Sequence, residues 1–257
     1  MTSPLDSTYS LVGTVSDLAA VVDKLVNLPA SPPSLYIDLE GVNLCRYGSI
    51  SIITIYVYPL DFTFLIDVHN LGDAAFTTPG TENPGVTLKS ILEDPAVPVV
   101  LFDVRNDNDA LANTFKVRLA GVIDIQLMEV ACRWGSKRYL NGLSRVLRTY
   151  QVIEPREMAR WAAVKEEGVR LFAPESGGSY DVFNQRPLSE TLAKYCVQDV
   201  RFLKRLWDLF APNLERPSMA NWKTRVRDET LRRVALCDNP RYNPKGRERA
   251  MAPYNWQ

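Results

Sequence analysis

Histidine is nearly missing from this chain: its 257 residues hold one, His69, beside four scattered cysteines, Cys45, Cys132, Cys196 and Cys237. That scarcity excludes a Cys/His zinc cluster. With no CxxC pair, the thiols lay out no disulfide framework either. An excess of charge is also lacking. Thirty Lys and Arg face thirty Asp and Glu, so no overall positive field announces a polyanionic partner. Any hold on nucleic acid must come from a local patch or from bound metal. Long apolar runs are absent, since nothing approaches the ~20 residues that span a bilayer. The opening MTSPLDSTYSLVG has neither the basic start nor the apolar core of a signal peptide. The expectation is a soluble intracellular protein with no membrane partner. Repeats and low-complexity tracts do not occur. Hydrophobic residues make up 46%, enough for a sizeable core in one domain.

The apolar pattern changes rhythm along the chain. After a loose opening, Ser16 to Leu28 repeats Leu18, Val21, Val22, Leu25 and Val26 at helical spacing, and ASPPS ends it. Three strand-like runs follow, Leu35–Leu39, Ser49–Tyr58 and Phe62–Val68, joined by links short enough for an antiparallel meander. Thr77 to Gly85 reads as a surface loop, and Thr87 to Leu92 as a short helix. Then strands at Val99–Phe102 and Val122–Ile125 alternate with helices at Asp109–Phe115, Met128–Arg133, Asn141–Tyr150 and Leu188–Phe210. A meander followed by such alternation predicts an α/β fold, a mixed sheet with helices packed on it. Residues 151–187 show no strong period and read as a flap or insertion. Residues 10–212 form the expected domain, and 213–257 a basic C-terminal appendage, packed on it or trailing from it. That segment holds ten Lys and Arg, among them Lys223, Arg225, Arg227, Arg232 and Arg233, against five acids. They could guide a nucleic-acid strand electrostatically or form a solvated helix face.

The informative residues are carboxylates at the ends of apolar runs. Asp38 and Glu40 in LYIDLEG are two apart, which on a strand points both to one face. So close, they repel unless a cation lies between them, though two solvated acids at a strand end would look the same. Asp107 in NDNDAL follows a strand and could equally be a helix N-cap; Asp109 and Asp124 are competing acids nearby. Tyr195 and Asp199 in YCVQD lie at i and i+4, sharing one helical face. Each signal alone is weak. Together they are far less common.

DLEG, NDNDAL and YCVQD, in this order and with these contexts, resemble the three exonuclease motifs of the DEDD superfamily. The tyrosine is similar to that of its DEDDy subgroup, which includes ribonuclease D, the exosome-associated ribonucleases and the Egalitarian-like exonuclease domains. DLEGVNLCRYG and DVRNDNDALANTF resemble the Egalitarian-like branch most, and NQRPLSETLAKYCVQDV carries the RPL segment of ribonuclease D relatives. The resemblance runs from about Leu35 to Phe210. It implies a ribonuclease-H-like fold and a 3′→5′ exonuclease that releases nucleoside 5′-monophosphates from single-stranded nucleic acid, RNA sooner than DNA. It implies that Asp38, Glu40, Asp107 and Asp199 hold two divalent metal ions, Mg²⁺ or Mn²⁺, with Asp38 shared between them and Tyr195 orienting the attacking water. Asp124 matches a structural aspartate of the family. Phe102 stands where ribonuclease D relatives often carry His, a departure outside the four acids.

These residue types suit that chemistry. Hard cations take oxygen ligands, so four acids without histidine favour Mg²⁺ or Mn²⁺ over zinc. Tyrosine, with an ordinary pKa of about 10, is a poor base at neutral pH and better suited to positioning. Leu39 and Val42 beside the acids could pack on terminal bases or simply belong to the core. Arg186 could touch phosphate or pair with an acid such as Glu190. Two other readings follow from the same residues. One is a catalytically silent exonuclease fold that binds RNA or a protein. The other is a structural domain whose acids sit in ion pairs and bind no divalent ion.

Overall fold

Side-chain alternation sets the sheet. In the computed structural model, which describes residues 8–256, there are six strands: β1 (Tyr9–Val12), β2 (Leu35–Glu40), β3 (Ile52–Val57), β4 (Phe62–Asp67), β5 (Val99–Leu101) and β6 (Val122–Asp124). Most of the loose opening stretch lies outside the described residues. The strands form one sheet in the order β1-β4-β3-β2-β5-β6. β2, β3 and β4 make the antiparallel meander, while β5 and β6 add in parallel beside β2. This is the mixed, ribonuclease-H-like sheet expected from the sequence. β3 is buried along its whole length, which suits its run of Ile, Tyr and Val.

Among the described residues ten α-helices flank the sheet: α1 (Val15–Leu25), α2 (Val68–Leu71), α3 (Ala74–Thr77), α4 (Leu88–Leu92), α5 (Arg105–Ala110), α6 (Ile125–Cys132), α7 (Leu143–Tyr150), α8 (Pro155–Phe172), α9 (Glu190–Leu214) and α10 (Ala220–Ala235). On one face, Ile37, Leu39, Ile53 and Ile55 pack with Leu18 and Val22 of α1, Phe76 of α3 and Leu88 of α4. On the other, Tyr36 and Val100 meet Leu127 of α6 and Val200, Leu203, Leu206 and Phe210 of α9. Ile52 and Leu65 meet Phe183, Leu192, Cys196 and Val197. Each such side chain contributes roughly 1.5–3 kcal/mol by leaving water. Among the described residues no helix is long and apolar enough to cross a membrane.

The structure departs from the sequence reading in three places. β1 is an added edge strand, parallel to β4, in a stretch read as loose. The supposedly aperiodic segment 151–187 contains α8, an 18-residue helix. Only Trp161, Gly168 and Phe172 of α8 are buried, so its buried stripe is too narrow and too poor in aliphatic residues to show as a period. Finally, α5 starts at Arg105 rather than near Asp109.

The last segment is bound to the domain by polar contacts. Arg233 of α10 is buried and donates to Asp124 Oδ2 at 2.7 Å and Gln126 Oε1 at 2.9 Å. Arg46 reaches the carbonyls of Leu236 and Asn239, and Tyr242 donates to Asn106 Oδ1. Other tail cations are paired locally, Arg232 with Glu229, Arg227 with Asp228 and Lys223 with Glu215.

Candidate active site

β2 delivers the first two acids. Alternation sends Leu35, Ile37 and Leu39 into the α1 side of the sheet and Tyr36, with Asp38 and Glu40 in its register, to the side of α9. Across β2 stands α9, whose first turn is capped by the Ser189 hydroxyl accepting from Leu192 N–H. Its buried face includes Leu192, Tyr195, Cys196, Asp199, Leu203 and Leu206, so Tyr195 and Asp199 arrive one turn apart on the face that meets β2. Asp38, Leu39, Glu40, Phe102, Leu143, Tyr195, Asp199 and Leu203 together line a cavity of about 200 Å³.

Asp107 comes from the first turn of α5. It is buried, and its charge interacts with that of Asp38. It is not an N-cap. Asp124 caps instead: its carboxylate accepts from Asp103 N–H and Val104 N–H at the start of α5, and from Gln126 N–H at the start of α6. Next to it, Asp103 adopts φ 69°, a left-handed conformation that aspartate tolerates. Its carboxylate receives two bonds from Arg105 at 2.6 Å and one from Arg249 at 3.3 Å. Burial alone would raise Asp103, but Arg105, Arg233 and Arg249 pull it down to about 2. This arginine-clasped turn holds α5, and with it Asp107, at the end of β5. Asp109 points elsewhere, gripped by Arg46.

The acids destabilise one another. Burial and the neighbouring Asp199 charge push Asp38 up to about 7. Burial and Asp38 raise Glu40 and Asp107 well above the carboxylate range, and burial raises Asp199. Burial, with Glu40, Asp199 and Asp38 behind it, also lifts Tyr195 far above its ordinary value, so its phenol is neutral. Arg249 opposes the charge of Asp107, and Lys165 opposes that of the other three acids. Lys165 of α8 donates to Asp199 Oδ2 and, at 3.1 Å, to the Tyr195 hydroxyl. Burial lowers its affinity for a proton, but Asp199, Glu40 and Asp38 more than offset that.

The donor set suits hard divalent cations. It consists of four carboxylates without a histidine, crowded enough to hold protons at raised pH. One oxygen, Asp199 Oδ1, is buried without a hydrogen-bond partner. Among the described residues no three ligand side chains meet around one point as a ready-made metal cage; without a cation, repulsion opposes such closure.

Of the residues singled out by sequence, Asp38, Glu40, Tyr195, Asp199 and Leu39 share the cavity, and Asp107 adjoins it through Asp38. Val42 lies beyond the lining, its carbonyl accepting from Ser49 N–H. Arg186 lies beyond it too. Its guanidinium pairs with buried Asp67, not with Glu190, and donates to the carbonyls of Phe183 and Gln185. Sequence reasoning missed Lys165, Leu143 and Leu203, and marked Phe102 only as a departure from the family pattern. For the three apolar residues no signal separates cavity lining from core. For Lys165 the signal would have been the helix α8 itself.

Residues 9–215 match the family model described as 3′–5′ exonuclease. None of the curated proteins matches the chain. Among solved structures, Trypanosoma brucei RNase D in complex with RNA U12 superposes with a TM-score of 0.72 at 22% identity, over 97% of this chain and 77% of that one. Escherichia coli RNase D, described as an exoribonuclease involved in structured RNA processing, gives 0.61 at 20% identity, over 90% and 51%. Brucella melitensis NrnC bound to pGG gives 0.57 at 17% identity, over 86% and 94%. At such identities these likenesses speak for a common fold.

Proposed function

The chain belongs to the 3′–5′ exonuclease family, and from that premise we propose that it removes nucleotides from the 3′ end of single-stranded RNA, in preference to DNA, using two Mg²⁺ or Mn²⁺ ions and releasing nucleoside 5′-monophosphates. Dependence on divalent metal is general for the family. The observation that carries the finer reading is the meeting of Asp38, Glu40, Tyr195 and Asp199 in one cavity, with Asp107 beside Asp38. The RNA preference draws on the fold shared with an RNase D whose structure was solved with RNA U12.

In this reading Asp38, Glu40, Asp107 and Asp199 would hold the two ions. When bound, such a pair supplies charge relief at the phosphoryl oxygens and acidifies water at neutral pH. The chain's own residues do the rest. Tyr195, a neutral phenol at the cavity wall, orients the attacking water by hydrogen bonding and gives up no proton. Leu39 borders the cavity between the two acids while its side chain packs into the core on the α1 side. Phe102, Leu143 and Leu203 exclude bulk water, which strengthens every charge interaction inside.

A time course with end-labelled RNA and DNA oligomers, in Mg²⁺, Mn²⁺ or EDTA, tests this. Expected are ladders shortening from the 3′ end, faster on RNA, silent in EDTA and blocked by a 3′-terminal phosphate. Cleavage of a circular substrate overturns the exonucleolytic reading, and equal rates on DNA overturn the preference.

A further inference from the structure

Lys165 belongs to none of the three motifs, yet it is the ammonium among the candidate acids. It reaches them from a different helix. α9 alone sets Tyr195 and Asp199 one turn apart but leaves their side-chain torsions free. α8 crosses beside it, and Gly168, one turn beyond Lys165, permits the approach. A Cβ built on Gly168 would lie 2.6 Å from Tyr195 Cδ2. With no side chain there, the Lys165 Nζ sits 4.3 Å from the centre of the Tyr195 ring and 3.1 Å from its oxygen.

We propose that Lys165 is a positioning residue for the reaction proposed above: one ammonium grips Tyr195 and Asp199 by an oxygen each and so fixes what the remaining atoms offer the substrate. The inference rests on reading the cavity as the exonuclease centre. An ammonium has donors and no acceptor, so the Tyr195 oxygen accepts from it. The phenol's own proton is then left to donate, and the cavity that Tyr195 lines is where it can do so. Asp199 spends Oδ2 on Lys165, while Oδ1 stays buried and without a partner, an oxygen held ready for a cation. The side chain of Lys165 is 23% exposed and that of Asp199 7%, so this contact is screened less than a surface pair.

The sign of the metal response separates positioning from metal holding. Lys165 carries the same sign as a divalent ion. Removing it leaves the four carboxylates more attractive to metal, not less. The test uses Lys165→Met, Lys165→Arg, Tyr195→Phe and the Lys165→Met/Tyr195→Phe double variant. Each is titrated with Mn²⁺ by calorimetry and assayed on RNA. For Lys165→Met, kcat is expected to fall about tenfold or more, the scale of one lost charged hydrogen bond, with KM nearly unchanged and Mn²⁺ bound at least as tightly as by wild type. Lys165→Arg recovers part of the rate. The double variant loses less than the product of the two single losses, because the Tyr195 oxygen, one of the two that Lys165 grips, is already gone.

The inference is overturned if Mn²⁺ affinity falls along with the rate, or if the two single losses multiply in the double variant. Should Lys165→Met not fold, Lys165→Gln takes its place, since it keeps a donor but no charge. A wild-type rate in the folded variant also overturns it. Wild-type protein that cleaves nothing defeats both readings, whereas active wild type with an equally active Lys165→Met defeats this one alone.

Discussion

Gly168 lies flush against the ring of Tyr195, so close that an added Cβ would stand 2.6 Å from Cδ2 and 2.9 Å from Cγ. Helix propensity favours alanine over glycine by roughly 1 kcal/mol, whereas overpacking costs about 1–3 kcal/mol. Gly168→Ala should therefore change stability little while pushing the tyrosine off its mark. We expect a loss of activity out of proportion to any change in melting temperature. Paired rate and melting measurements decide it, and a wild-type rate would show that the ring position is immaterial.

Asp38→Asn should abolish cleavage and, in EDTA, raise the melting temperature. Asp38 holds its proton up to about 7 because burial and Asp199 oppose its charge. A neutral amide removes that repulsion. For a chain of this size each kcal/mol regained is worth about 2–4 °C. Retention of more than about a tenth of the wild-type rate, under ~1.4 kcal/mol of lost transition-state stabilisation, would remove Asp38 from the proposed two-metal centre.

The metal-free protein should lose stability as pH rises from about 5 to 8. Asp38, Glu40, Asp107 and Asp199 all bind protons more tightly folded than unfolded. Between the ordinary carboxylate value and the raised one, the folded state thus carries more protons. Stability falls as pH climbs through that window. Saturating Mg²⁺ or Mn²⁺ should reverse the slope, since a carboxylate must shed its proton to bind metal. Melting curves at several pH values, with and without metal, would show a flat metal-free profile if burial and mutual repulsion did not raise these acids.

Arg233→Met should destabilise the fold by about 3–5 kcal/mol, the usual result of leaving a buried charge without its partner. Arg233 is 3% exposed, and both Asp124 and Asp103 depend on it. The adjacent Arg232→Gln should barely change the fold, because Arg232 pairs with Glu229 near the surface. Urea unfolding of the two variants compares them, and similar midpoints would contradict the clasp.

What the sequence displayed and what it hid have separate physical causes. β2, β3 and α9 were legible because their buried residues are aliphatic or aromatic at a regular period. α8 was not, because the stripe it turns inward runs Trp161, Lys165, Gly168, Phe172, where a cation and a glycine occupy places a period search expects to be apolar. β1 has four residues on a sheet edge and only Val12 buried, too little for alternation to register. Asp38, Glu40, Tyr195 and Asp199 were readable as pairs at strand and helix spacings. Lys165 makes its contacts across 30 and 34 positions, a separation that no local pattern encodes. The tail's charge excess was plain, but Arg233 meets Asp124 across 109 positions, so its destination was not.

The clasp on the β5–α5 turn also sets an order of events during synthesis. Asp103, Asp107 and Asp124 leave the ribosome early, while the guanidiniums that neutralise the turn, Arg233 and Arg249, follow 109 and 146 residues behind the acids they bind. Until they emerge, that corner holds its carboxylates with two of the three guanidiniums missing. A nascent or truncated chain ending soon after α9 would carry every motif residue and still lack the brace under Asp107. The candidate centre thus gains its brace only once Arg233 and Arg249 have been made, and possession of the motifs is a poor guide to whether a fragment of this chain holds that centre in place.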